Sequence, residues 1–103
     1  MTSPTQRSLK YLREQGYTAE VTEKWNQWAK IRQDLFGIID LVAIKEGVTL
    51  GVQTTSYSNM SARRTKILES ENYKKLKQAN WEIHVHGWKK KKNGRYELKQ
   101  YEL

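Results

Sequence analysis

The stretch from Ile38 to Ser56 limits the possible folds more than any other part of the chain. Ile38–Ile44 and Val48–Ser56 are two β-rich runs, and Glu46-Gly47 between them reads as a tight turn, so the segment predicts a β-hairpin. A two-residue turn there pairs positions whose numbers sum to 93, which sets Leu41 against Val52, Ala43 against Leu50 and Ile39 against Thr54. That face is mostly apolar. The same register places Asp40 opposite Gln53 on the other face, with Thr55 two residues along. Slipping one strand by a single residue would mix the faces, and a buried face resists such a slip.

The flanking segments predict an α/β protein on a mixed sheet. Ser3 suits an N-cap, Pro4 the first helical position and Gln6 a capping box, with Leu9 and Leu12 as the apolar stripe and Gly16 as the stop. Tyr17 to Trp25 alternates as a strand would, with Tyr17, Ala19, Val21 and Glu23 on one face. Trp25–Gln33 fits either a helix or a long loop packed by aromatics. A helical region runs from Ser61 to Ala79. Ile67 and Leu76 would fall on opposite sides of one straight helix, so a break is expected near Ser70, with Asn80 as a left-handed end. Trp81–Trp88 returns to strand alternation, and Asn93-Gly94 turns the chain into Arg95–Leu103. At 103 residues, with no internal repeat, residues 1–103 are expected to form a single domain.

Charge narrows the partners. The chain carries 19 Lys+Arg and 11 Asp+Glu, a net charge of +8. Residues 1–59 hold seven basic and six acidic residues, so residues 60–103 hold 19 − 7 = 12 and 11 − 6 = 5. An excess gathered in one half suits a polyanion, most simply nucleic acid; a solvated basic face is the plainer reading. No apolar run approaches the roughly 20 residues that span a bilayer, and the N-terminus lacks a secretion-signal pattern, so no membrane partner is expected. Zero cysteines excludes disulfides, thiolate metal sites and cysteine nucleophiles, and is compatible with a cytoplasmic location.

Asp40 interrupts the apolar run Ile38-Ile39-Asp40-Leu41-Val42, where aspartate is disfavoured. A buried carboxylate needs a cation or hydrogen-bond donors. Directly opposed residues have Cβ atoms about 5 Å apart, so Asp40 and Gln53 can converge on one hard cation through oxygen. Magnesium suits such a site. The alternatives are a solvated aspartate or one paired with a nearby Arg or Lys.

These residues also carry a resemblance. Gly37-Ile38-Ile39-Asp40, then twelve residues, then Gln53-Thr54-Thr55, resembles the core of the PD-(D/E)XK nuclease superfamily. Arg32-Gln33-Asp34-Leu35-Phe36-Gly37, Ala62-Arg63-Arg64-Thr65-Lys66-Ile67 and Val85-His86-Gly87-Trp88 are similar to small phage-encoded nucleases related to Holliday junction resolvases. The resemblance spans most of the chain, up to Trp88. It implies an α/β, restriction-endonuclease-like αβββαβ core with a central mixed sheet flanked by helices, here followed by a C-terminal β-hairpin. It implies a Mg2+- or Mn2+-dependent endonuclease acting on duplex or branched DNA, working as a homodimer, in the host cytoplasm if phage-encoded. By the family pattern Asp40 anchors the metal, Gln53 holds the place of an acidic ligand, the Thr54 carbonyl completes the contacts and Thr55 holds the place of the lysine. Gln53 brings no charge, and Thr55 cannot stabilise developing negative charge. Lys66, or less favourably Arg63 or Arg64, is the candidate replacement for that lysine. Gln6 is the nearest match to a glutamate that relatives carry on the first helix. Asp34 and Glu23 are the candidate additional acids, ranked above Glu20.

Other features carry weaker expectations. His84 and His86 share one strand face, for which an exposed position near phosphate is preferred over metal ligation. Trp28 and Trp88 are candidates for base stacking or for covering the site. Lys89, Lys90, Lys91 and Lys92 form a basic hairpin tip suited to backbone phosphate, or to protecting a sheet edge. Three function classes follow: a metal-dependent DNA endonuclease, a non-catalytic nucleic-acid-binding protein on a degraded nuclease scaffold, and a phage accessory protein binding a host partner through its aromatic surface.

Overall fold

A computed structural model describes residues 3–103. Helix α1 spans Pro4–Glu14 and begins as its sequence dictates: the Gln6 amide donates to Ser3 Oγ at 3.2 Å, and Pro4 occupies the first turn. Leu9 and Leu12 face inward, and the chain leaves the helix through Gly16 at φ +92°, a conformation that glycine adopts without penalty. The strands are β1 (Thr18–Val21), β2 (Lys24–Asn26), β3 (Ile31–Gln33), β4 (Leu41–Lys45), β5 (Val48–Ser56), β6 (Glu82–Lys90) and β7 (Tyr96–Glu102). A short 3-10 turn, Tyr57–Asn59, leads into α2 (Met60–Glu69), and α3 (Glu71–Gln78) follows.

Five strands form one mixed sheet in the order β1-β4-β5-β6-β7, with β5 and β6 parallel and the other pairs antiparallel. The expected hairpin register is present: Leu41 pairs with Val52 and Ala43 with Leu50. Helix α1 covers one face of the sheet, where Leu9, Leu12, Ala19, Leu41, Ala43, Leu50 and Val52 are buried together. Each such leucine contributes about 1.5–3 kcal/mol on burial. Helices α2 and α3 cover the other face over Ile38, Ile39, Met60, Ile67, Leu76, Ile83 and Val85. The helix break falls at Ser70, whose hydroxyl accepts the Asn72 amide at 3.2 Å, and Asn80 takes φ +67° after α3. Among the described residues, no helix is long and apolar enough to cross a membrane.

Three expectations change. The strand expected over Tyr17–Trp25 stops at Val21, and β2 starts a separate sheet at Lys24. Trp25–Gln33, expected as helix or loop, is most of a two-stranded antiparallel hairpin that pairs Trp25 with Arg32. Its turn is set by Asn26, whose Oδ1 accepts the amides of Trp28 and Ala29 at 3.0 Å. Finally, Ile38 and Ile39 lie outside β4. Phe36 (φ +55°) and Gly37 (φ +77°) bend the chain so that Leu35 bridges Ile39. This turn breaks the alternation, and Ile39 packs with Ile83 under α2 rather than beside Leu41. Gly51 makes room for it, since a Cβ there would lie 2.7 Å from Ile39 Cδ1.

Candidate metal centre

Asp40 closes the tight turn at the mouth of β4 and is 3 % exposed. Its amide donates to Val52 O at 2.9 Å, which fixes the residue beside β5. Its Oδ2 accepts three hydrogen bonds: from Gln53 Nε2 at 2.6 Å, from the Thr54 amide at 2.8 Å and from Thr54 Oγ1 at 3.1 Å. Helix α1 contributes Thr5, whose Oγ1 lies 2.8 Å from Thr54 Oγ1. The expected helix contact, Gln6, donates its backbone amide to the N-cap, and the preceding residue, Thr5, is the one that reaches Thr54.

Two more carboxylates converge on Asp40. Glu23 precedes β2 and Asp34 follows β3, so the two ends of one hairpin deliver both. Ligand oxygens of Glu23, Asp34 and Asp40 all lie within 4.8 Å of one another, so this cluster could hold a metal ion. At that spacing two unit charges repel by roughly 3–4 kcal/mol if the effective dielectric constant is about 20. Three groups relieve the repulsion. Arg32 Nη1 sits 2.7 Å from Glu23 Oε1. Gln53 Nε2 donates to Asp40 and reaches Asp34 Oδ2 at 3.4 Å, bridging the two carboxylates. The third is protonation: burial first, and then the hydrogen bond with Asp34, push the Asp40 carboxyl up to about 7 against the pull of the Thr54 amide.

The donor set fits a hard cation. Glu23, Asp34, Asp40 and Gln53 each carry a side-chain oxygen, and Gln53 Oε1 is buried without a hydrogen-bond partner. Half a turn of the Gln53 amide would exchange its donor for this oxygen. The exchange is unfavourable between two bare carboxylates and favourable once positive charge stands there.

Thr54 stands at the cluster, its amide and hydroxyl both donating to Asp40 Oδ2. Thr55 is buried and uncharged. Lys66 is exposed on α2 and, among the described residues, makes no ion pair with the cluster. Arg63 is half-buried, and Arg64 lies over the Tyr101 ring at 5.4 Å. Lys89 stands 5.1 Å over the Tyr57 ring, while Lys90, Lys91 and Lys92 are exposed at the β6–β7 turn. Glu20 lies 3.9 Å from Arg13. The cation touching the cluster, Arg32, is one that pattern reading passed over, because the reversal at Asn26 that carries it back to Glu23 was not recognised.

His86 is a second correction. It is fully buried under α1 rather than exposed near phosphate. Its Nδ1 and Trp88 Nε1 both lie 2.9 Å from Ser8 Oγ, and Tyr11 meets the ring edge-on at 5.9 Å. Burial, with His84 nearby, pushes His86 down to about 4, so it is neutral near pH 7. Ser8→Ala would strand a buried nitrogen of His86 and a half-buried one of Trp88, and urea unfolding should show a loss of about 1–3 kcal/mol.

Neither a scan against protein-family models nor searches of curated proteins and of solved structures return a match to this chain.

Proposed function

We propose that this chain is a metal-dependent DNA endonuclease with a restriction-endonuclease-like core, its active centre at Asp40. One observation carries the reading: a buried carboxylate at the mouth of the β4–β5 pair joined by two others within 4.8 Å, beside a buried glutamine oxygen without a partner. Such a cluster costs stability unless it serves to hold a cation. The net charge of +8 supplies attraction to a polyanion.

Asp40, Asp34, Glu23 and Gln53 would hold Mg2+ or Mn2+. When bound, such an ion sets positive charge against phosphodiester oxygens and makes a water easier to deprotonate. The Thr54 amide and hydroxyl hold the Asp40 carboxylate by its Oδ2. Thr5, through the Thr54 hydroxyl, braces that arrangement from α1. Arg32, exposed at the rim, offers a guanidinium to the phosphate on which charge develops, the part that a lysine at position 55 would otherwise play. Arg63, Arg64 and the Lys89–Lys92 tip would hold backbone further out, and Lys66 on α2 is the other candidate for the part of that lysine.

A nucleic-acid-binding protein that does not cut is the second reading. Thr55 and the amide of Gln53 bridging both acids favour it. End-labelled branched, duplex and single-stranded DNA, incubated with Mg2+, Mn2+ or EDTA, separates the two. The expected result is cutting with either metal, none in EDTA, and none by Asp40→Ala, which still binds DNA. Metal-independent cutting, or equal cutting by that variant, overturns the proposal; binding without cutting selects the second reading.

A further inference from the structure

The β2–β3 hairpin stands apart from both cores. Trp28 at its tip is 88 % exposed, Trp25 59 % and Ile31 51 %. None of the three belongs to either buried cluster, so packing against the body does not account for them. The register puts Trp25 and Ile31 on opposite faces of the ribbon, so the contact surface centres on the exposed tip at Trp28. The tip is ordered by its own hydrogen bonds, through Asn26 Oδ1, so the indoles are presented on a defined turn. Residues 24–33 also carry Lys24, Lys30 and Arg32 and no acidic residue.

Position gives this surface its meaning. Glu23 enters the hairpin and Asp34 leaves it, so the hairpin grows directly out of the carboxylate cluster. We propose that it stacks on unpaired bases of a nucleic-acid strand whose backbone lies at that cluster, so that the chain selects branched or single-stranded DNA over continuous duplex. This rests on the nuclease reading for the position of the backbone. Charge chooses the occupant. A basic, indole-bearing hairpin attracts a polyanion with flat apolar faces, whereas a second copy of this chain would bring the same basic hairpin and another +8. Base faces within a duplex are already stacked on one another, so an indole reaches them only where pairing is interrupted. Three-residue strands and their turn extend about 10–15 Å. The tip therefore meets bases roughly three or four steps from the scissile phosphate, at about 3.4 Å per step.

The test compares wild type, Trp28→Ala and Trp28→Phe on two labelled probes of one sequence, a fork with unpaired arms and a full duplex. Binding is measured in EDTA at fixed salt, and cleavage with Mg2+. Wild type is expected to prefer the fork. Trp28→Ala should lose about 5- to 100-fold on the fork and stay within about twofold on the duplex, the range for one stacked base. Trp28→Phe should recover most of the loss. Unchanged melting of both variants confirms that folding is intact. No loss on the fork, or an equal loss on both probes, overturns the inference. So does a wild-type dimer abolished by Trp28→Ala with fork binding unchanged, which would assign the hairpin to self-association. If wild type cuts both probes and Trp28→Ala keeps the same fork-to-duplex ratio, the nuclease reading stands and only the stacking fails. If wild type neither binds nor cuts either probe, both fail.

Discussion

Asp40→Asn should leave the protein inactive as a nuclease and, without added metal, more stable at pH 8 than the wild type. The two effects have one origin. Burial and the neighbouring Asp34 push the Asp40 carboxyl from 3.8 up to about 7, so the native state holds a proton that the unfolded chain has already released. The sign follows from proton linkage. A raised native pKa contributes stability that is whole below about pH 4 and is lost as the pH rises through about 7. Each pH unit inside that window is worth at most about 1.4 kcal/mol, and the whole is on the order of a few kcal/mol. Asparagine is spared this loss. Its oxygen can still accept from the Thr54 amide, and its own amide can donate to Asp34. Its neutral side chain removes the strongest cation ligand, and cleavage should fall by at least about 10²- to 10³-fold, as when a preorganised electrostatic contact is deleted. His86 acts in the opposite direction. Its lowered native pKa costs stability as the pH falls from 6.5 toward 4, but wild type and Asp40→Asn share that cost, so it cancels in the difference between their urea series run from about pH 5 to 8. Equal pH slopes for wild type and Asp40→Asn would contradict the assignment of the raised pKa.

Gln53→Glu should tighten Mg2+ and Mn2+ binding by about tenfold or more while destabilising the metal-free protein. In the wild type, Gln53 Nε2 holds the space between Asp34 and Asp40, contributing donors where a cation would contribute charge. Glutamate removes those donors and brings a further carboxylate against the cluster, at a cost of roughly 3–4 kcal/mol per like-charge contact at this spacing. A divalent ion reverses the balance, because its affinity in such sites rises with ligand charge. Thermal melting with EDTA and with millimolar Mn2+ reads both halves: a lower melting temperature without metal, and a larger rise with it, than in the wild type. A variant that melts like wild type in both conditions would place Gln53 outside the metal centre.

What was legible in the sequence was what local chemistry determines. The Glu46-Gly47 turn and the alternation on either side suffice for the Leu41–Val52 register, and the opposed Ile67 and Leu76 suffice for the break at Ser70. Ile38 and Ile39 misled because β-branched residues read as strand, whereas the two left-handed residues Phe36 and Gly37, with the space left by Gly51, turn them under α2. Phenylalanine gives no warning of a positive φ. The β2–β3 hairpin was obscured because three-residue strands with exposed side chains lack a buried face to impose alternation. The carboxylate cluster was half legible. Asp40 and Gln53 face each other across one hairpin, but Glu23 and Asp34 arrive from the ends of another, and Arg32 reaches Glu23 only because that hairpin reverses. Ser8 and His86, 78 residues apart in sequence, meet only through the docking of α1 on the sheet.

The metal centre itself is the claim on which the functional account depends, and diffraction from a crystal soaked in millimolar Mn2+ tests it most directly. The expected result is an anomalous peak within coordination distance of Asp40 and Asp34, with the Gln53 amide turned so that its oxygen faces the peak. Bare carboxylates with no peak beside Asp40, in a crystal where that site is open to solvent, would contradict the account.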